Sequence, residues 1–181
     1  MACPLPEERM KPLATRAFEG RVNPKGIPCL YCSTDMETAM TETRPWIGSY
    51  VSVAQFSVLG DLTVVDCTVD YTVELAELAA TYRSYEVSEP PPEKRETAVW
   101  GRINEAFSEP VDRTDDTADY APTQVLAETF RSGGYDGIIY GSNLGAGKTV
   151  ALFDLAAAKQ IDVRLYRVEG VTPKYSRVNE F

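Results

Sequence analysis

The sequence predicts an α+β domain in which a mixed, mainly antiparallel sheet carries flanking helices. Three observations predict it. Short apolar runs with strand-like alternation recur from Ile27 onward, amphipathic stretches of helical period lie between them, and 181 residues are enough for one core and one domain. No internal repeat breaks this pattern, so the whole of 1–181 reads as a single unit of six strands and three or four helices.

Taken in order, Asn23-Pro24-Lys25-Gly26 is a turn that delivers the chain into a strand over Ile27 to Tyr31. Thr34 followed by Glu37 is a capping-box signal. The helix it starts would bury Met36, Ala39, Met40 and Thr43, carry Glu42 on the flank of that face, and stop at Pro45. Tyr50 to Phe56 and Leu62 to Thr68 alternate as strands, and Val73 to Arg83 as an amphipathic helix. Between Glu86 and Asp119 the composition shifts to Pro90-Pro91-Pro92, a helical stretch near Glu93 to Phe107 and an acidic tract. About 35 residues cannot build a core of their own, so this stretch is expected to be a surface insertion. Pro122 suits the first turn of a helix burying Val125, Leu126, Thr129 and Phe130, and Gly133-Gly134 ends it. Gly137 to Tyr140, Thr149 to Asp154 and Val163 to Val168 complete the strands, with a short helical piece at Leu155 to Lys159.

Charge narrows the function. The net charge of −9 comes from residues 61 to 120, which hold fifteen acids against five bases, while both flanking thirds are near neutral. A surface with that bias repels a nucleic-acid backbone, but local cations could still hold one dinucleotide. No apolar run is long enough to span a bilayer, and MACPLPEERMKP lacks the apolar core of a signal peptide, so a cytoplasmic protein is expected. The four cysteines, at 3, 29, 32 and 67, have no framework spacing, in keeping with a reducing compartment. The chain has no histidine, which excludes imidazole-dependent triads and leaves carboxylates, hydroxyls, thiols, arginine and lysine to do any chemistry.

Two apparent motifs fail on physical grounds. Ser142 to Thr149, SNLGAGKT, misplaces the first glycine of a phosphate loop and runs into the apolar Val-Ala-Leu-Phe, which favours a strand where a phosphate loop opens a helix. It reads as a connector between two strands, with Lys148 near any bound phosphate. Cys29 and Cys32 lie three apart on a strand, pointing to opposite faces, and Cys3 and Cys67 have no partners at ligand spacing. Core packing, with no metal, is the expectation.

Arg21, Tyr31 and Glu42 follow one another at intervals of ten and eleven residues on three different local structures. A cation for anions, an aromatic platform and a carboxylate are the tools for cleaving a nucleotide glycosidic bond. The pattern of Arg21, Gly26, Leu30-Tyr31, Thr38-Ala39 and Glu42, together with Gly134, Asp136-Gly137-Ile138 and Tyr140 before Ser142, resembles the two signature blocks of the RES domain family, named for an arginine, a glutamate and a serine.

That resemblance implies an ADP-ribosyltransferase-like fold and an enzyme acting on NAD as substrate, with no further cofactor. It implies a toxin silenced by a partner antitoxin. Arg21 would clamp the pyrophosphate or ribose oxygens, Tyr31 would stack on nicotinamide, Glu42 would stabilise the charged ribose, and Ser142 would bond the ribose or fix Glu42. The acceptor stays open among water, inorganic phosphate and a protein side chain, the last making the enzyme an ADP-ribosyltransferase. Phosphate would need another cation, for which Arg44 and Lys148 are the candidates. A non-catalytic dinucleotide-binding or interaction module is the alternative from another class.

Overall fold

The structure, a computed structural model, describes residues 2–13, 15–68, 92, 95–109 and 117–172. Six strands and three α-helices are present among them. In chain order they are β1 (Leu30–Ser33), α1 (Met36–Glu42), β2 (Tyr50–Val58), β3 (Val64–Asp66), α2 (Arg95–Ser108), α3 (Ala121–Ser132), β4 (Gly137–Gly141), β5 (Lys148–Leu152) and β6 (Ala158–Arg167). The fold is α+β, as the sequence predicts. The helix expected over Val73 to Arg83, the triple proline apart from Pro92, and the acidic residues 110–116 lie outside the described residues.

Four strands form one sheet in the order β1-β5-β4-β3, in which only the β3–β4 pair is parallel. β2 and β6 pair antiparallel as a separate ribbon with a bulge between Gln55 and Phe56. Tyr31, Ala151 and Ile138 lie opposite one another across the sheet, as do Ser33, Thr149 and Tyr140. Residues directly opposite share a face, so this side holds one row of core residues. Ile138, Tyr140 and Ala151 pack there with Val65, Cys67 and Cys29, under Phe107 of α2 and Ala127 of α3. On the other face Leu30 and Leu152 pack with Ala158 and Phe56 of the ribbon. The result is three layers, helices over sheet over ribbon.

Cys29 and Cys32 divide between these two faces, Cys29 in the first core and Cys32 against the second. Burial pushes the Cys29 and Cys67 thiols up to about 12, and Cys29 Sγ donates to Leu152 O at 3.0 Å. Among the described residues no group of histidine, cysteine, aspartate or glutamate is placed to hold a metal ion. No described helix is long and apolar enough to cross a membrane.

Several local expectations are corrected. β1 begins at Leu30 instead of Ile27, because Ile27 N is still engaged in the turn with Pro24 O and Pro28 has no N–H to give to a ladder. The N-cap of α1 is Asp35, whose carboxylate accepts from Thr38 N at 2.8 Å, while Thr34 Oγ1 accepts instead from Lys148 N. The residue α1 buries is Thr38, and Met36 is about half exposed. In α3 the inward positions are Thr123, Leu126, Ala127 and Phe130, and Val125 is 66% exposed, a shift in helical phase. Helix α2 falls within the stretch read as a surface insertion, yet its end is in the core. Phe107 is fully buried and stacks on Tyr140, with ring centroids 5.5 Å apart.

Candidate active site

The chain between Ala17 and Ile27 has no regular structure, so side chains must pin it. Asn23, 2% exposed, donates through Nδ2 to Phe18 O and Ile27 O, and Gln124 of α3 donates to Gly20 O and Asn23 O. Tyr31 completes the anchoring: its hydroxyl donates to Asn23 Oδ1 at 2.7 Å and accepts from Val22 N at 3.0 Å. Gly20 lies so close that a Cβ there would stand 2.7 Å from this hydroxyl. Burial holds the phenol protonated, well above its ordinary range, and outweighs the Val22 N–H bond, which favours the charged form. The residue remains 39% exposed. Tyr31 therefore braces the loop with its hydroxyl and offers a ring face to the cleft.

Arg21 sits on this braced loop, half-buried, and Nη1 donates to Ala106 O near the end of α2 at 2.7 Å. Only one of its five donors is committed by that bond, which leaves a fixed guanidinium with capacity for an anion.

Glu42 is placed by helix geometry. Thr38 and Glu42 are i, i+4 on α1 and share a face, and that face meets the β4–β5 connector. Thr38 Oγ1 accepts from Gly147 N at 2.9 Å, and Ser142 Oγ donates to Glu42 Oε1 at 2.5 Å. Ser142 Oγ also accepts from Leu144 N and Gly145 N, each at 3.1 Å, so its rotor is fixed. The glycines of this connector serve close approach. A Cβ on Gly147 would lie 1.7 Å from Asp35 Oδ2, and one on Gly145 would lie 2.4 Å from Thr38 Oγ1. The segment is thus a strand connector clamped to α1, with no helix following it.

Arg21, Tyr31 and Glu42 line one cleft of about 1150 Å³, and Ser142 stands behind Glu42 as its hydrogen-bond donor. The cleft runs along the free edge of β1, between α1, the ribbon and the end of α2. Lys148 is not part of it. Its ammonium stands 3.5 Å from Asp66, and it occupies the strand position next to Thr149, whose side chain faces the cleft, so Lys148 points the other way. Arg44 does line the cleft. It follows the α1 C-cap with φ of 47°, a left-handed conformation usually given to glycine, and local strain of that kind gathers at functional sites.

Sequence reasoning missed Tyr140 as a member of the site. It is 6% exposed, its hydroxyl is hydrogen-bonded to Thr149, and it lies within electrostatic reach of both Arg21 and Glu42, with burial holding the phenol protonated. The sequence shows it only as part of the signature block before Ser142, and the sheet register places it beside Thr149 on the cleft side. Asn104 was missed as well: its Oδ1 accepts from Gly141 N at 3.0 Å and fixes the strand end that presents Ser142.

The site thus combines an exposed carboxylate bonded by a serine, an arginine held by a backbone carbonyl and a tyrosine ring, all without imidazole. The chain belongs to the RES domain family, whose model matches residues 4–172, nearly the whole length. The match runs through α2 and the segment around it. Membership is consistent with an NAD-acting domain of the toxin–antitoxin kind. No curated protein and no solved structure matches the chain.

Proposed function

We propose that this protein cleaves the bond between nicotinamide and ribose in NAD, and that it is a cytoplasmic toxin neutralised by a cognate antitoxin protein. The observation that carries the reading is the fixed carboxylate of Glu42, held by Ser142 in the cleft that also contains Arg21 and the open face of Tyr31.

The chemistry asks for little more. Nicotinamide in NAD is already a pyridinium, so when its bond to C1′ of the ribose breaks, the electron pair returns to the ring nitrogen and a neutral molecule departs. No general acid is required, which suits a chain without histidine. Positive charge then develops on C1′ and the ring oxygen, and Glu42 stabilises it. Tyr31 stacks on the nicotinamide ring. Arg21 takes the pyrophosphate with the donors that Ala106 leaves uncommitted. Ser142 acts through Glu42, because its hydroxyl is already engaged there.

The acceptor attacks C1′ from the face nicotinamide does not occupy. Water, losing a proton, gives ADP-ribose, and inorganic phosphate gives the corresponding sugar phosphate. Arg44 is the cleft cation for phosphate, since Lys148 faces elsewhere. Incubating the purified protein with NAD, with and without phosphate, and identifying the products by mass tests the reading. Free nicotinamide is expected in both cases if water is the acceptor, and only with phosphate present if phosphate is. Intact NAD after prolonged incubation with folded protein would refute the proposed reaction.

A further inference from the structure

Arg21, Tyr31 and Glu42 line the cleft, and its volume of about 1150 Å³ exceeds the roughly 300–1,000 Å³ usual for small-molecule sites. The β2–β6 ribbon lines it as well. From β6, only Asp162, Arg164 and Tyr166 line the cleft, and the residues between them, Val163 and Leu165, do not. That alternation defines one strand face, along which the three side chains span about 13 Å. Their cross-strand partners Gln55, Val53 and Val51 line the cleft too, so the row stands beside a partly apolar floor.

The row is internally bonded. Arg164 Nε donates to Asp162 Oδ2 at 2.7 Å, and the guanidinium also bonds the Tyr166 hydroxyl. Those two bonds leave several of the five guanidinium donors. The Arg164 side chain is 71% exposed. An exposed pair of this kind adds little to fold stability, so the bracing is of more use to a ligand than to the fold. An aromatic ring next to a braced guanidinium, on a shallow apolar floor, suits a purine nucleoside carrying phosphate.

We propose that Tyr166, Arg164 and Asp162 form the subsite for the adenosine half of the dinucleotide. Tyr166 stacks on adenine, and Arg164, braced by Asp162, donates to oxygens of the adenosine ribose and its phosphate. The assignment rests on reading the cleft as an NAD site. A second pocket, of about 670 Å³, shares Tyr31 and Met10 with the cleft and holds Arg9 and Arg16. It is the competing location. It is less suited, because its lysine, Lys11, is already bonded to Leu155 O and Ala158 O.

The test measures binding of ADP-ribose and of nicotinamide mononucleotide by calorimetry, and NAD turnover, for the wild type and for Tyr166→Ala, Tyr166→Phe, Arg164→Ala and Arg16→Ala. Thermal melting confirms that each variant is folded. ADP-ribose should bind at least tenfold more weakly to Tyr166→Ala and Arg164→Ala, and near normally to Tyr166→Phe and Arg16→Ala. Nicotinamide mononucleotide should bind all five proteins alike. With NAD, KM should rise about tenfold in the two weakened variants, with kcat changed far less. If both alanine variants bind ADP-ribose within twofold of wild type, or if Arg16→Ala is the one that loses binding, the subsite is wrong, and continuing NAD cleavage leaves the reaction standing. If the wild type binds ADP-ribose through this row but never cleaves NAD, the subsite stands and the reaction falls. A wild type that binds no ADP-ribose overturns the subsite, and NAD turnover then judges the reaction separately.

Discussion

Ser142 Oγ donates to Glu42 Oε1 at 2.5 Å across a separation of 100 residues, joining the two signature blocks of the chain by one charge-assisted bond. The bond fixes where the carboxylate points, and it makes the serine a positioning group for the glutamate.

Glu42→Gln keeps the size of the side chain and can still accept from Ser142, but it removes the charge. The carboxylate acts mainly on positive charge that the ground-state ribose lacks, so catalysis should suffer more than binding. NAD cleavage should fall about a hundredfold or more, with affinity altered only severalfold. A variant cleaving at the normal rate would show that the carboxylate is not catalytic.

Arg21→Lys retains charge and loses the fork. One ammonium cannot bond Ala106 O in the same geometry and still present parallel donors to a pyrophosphate. NAD turnover is expected to drop by at least tenfold, with the melting temperature little changed. Wild-type kinetics would mean that Arg21 only anchors its loop to α2.

Tyr31→Phe preserves the ring face and deletes the hydroxyl that joins Val22 N to Asn23 Oδ1. Leaving those buried groups unpaired should cost about 1–3 kcal/mol of stability, read by denaturant unfolding. Turnover should fall too, because the loop bearing Arg21 loses its brace. Tyr31→Ala adds loss of the ring, so it should bind NAD more weakly than Tyr31→Phe does.

Lys148→Ala and Gly147→Ala are adjacent substitutions with opposite expectations. The first removes an exposed ion pair and should shift stability by less than about 1 kcal/mol with NAD turnover intact. The second puts a methyl group into the space of Asp35 and should lower the melting temperature by several degrees or prevent folding. Equal tolerance of both would contradict the clamp between this connector and α1.

The buried thiols set a pH limit. Cys29 and Cys67 are raised from 9.0 to about 12, so the folded state holds protons that the unfolded state releases first. Their contribution to stability is fully present below pH 9 and is lost between pH 9 and about 12. Melting temperature measured against pH should decline through that window. At pH 8, a thiol reagent should label the exposed Cys3 readily and Cys29 and Cys67 only on unfolding.

What could be read from the sequence divides along physical lines. All six described strands were expected from alternation or from apolar runs bounded by turn residues, but the last was expected from Val163, whereas β6 begins at Ala158. Helix phase was less secure. In α3 the inward stripe passes through Thr123 and Ala127, small residues whose burial serves close packing and leaves no hydrophobic signal. In α1 the same holds for Thr38, which is buried because two glycines distant in sequence come against it. The signature residues were recognisable by type and spacing. The place of Tyr140 in the site, Asn104 and the Tyr166 row were not, because their roles depend on sheet register and on which strand edge is open. Within 86–119, composition gave no sign of Phe107, which ties the end of α2 to the core.

In the sheet order β1-β5-β4-β3, the strand that unites the two signature blocks comes after both of them in the chain. Arg21, Tyr31, Glu42 and Ser142 all precede Lys148, where β5 begins. During synthesis every reactive side chain therefore emerges before the strand that brings Glu42 to Ser142. A nascent chain halted between residues 142 and 147 carries all four signature residues without β5. The site residues can therefore come together as they stand in the fold only after β5 has been made, because β5 lies between β1 and β4.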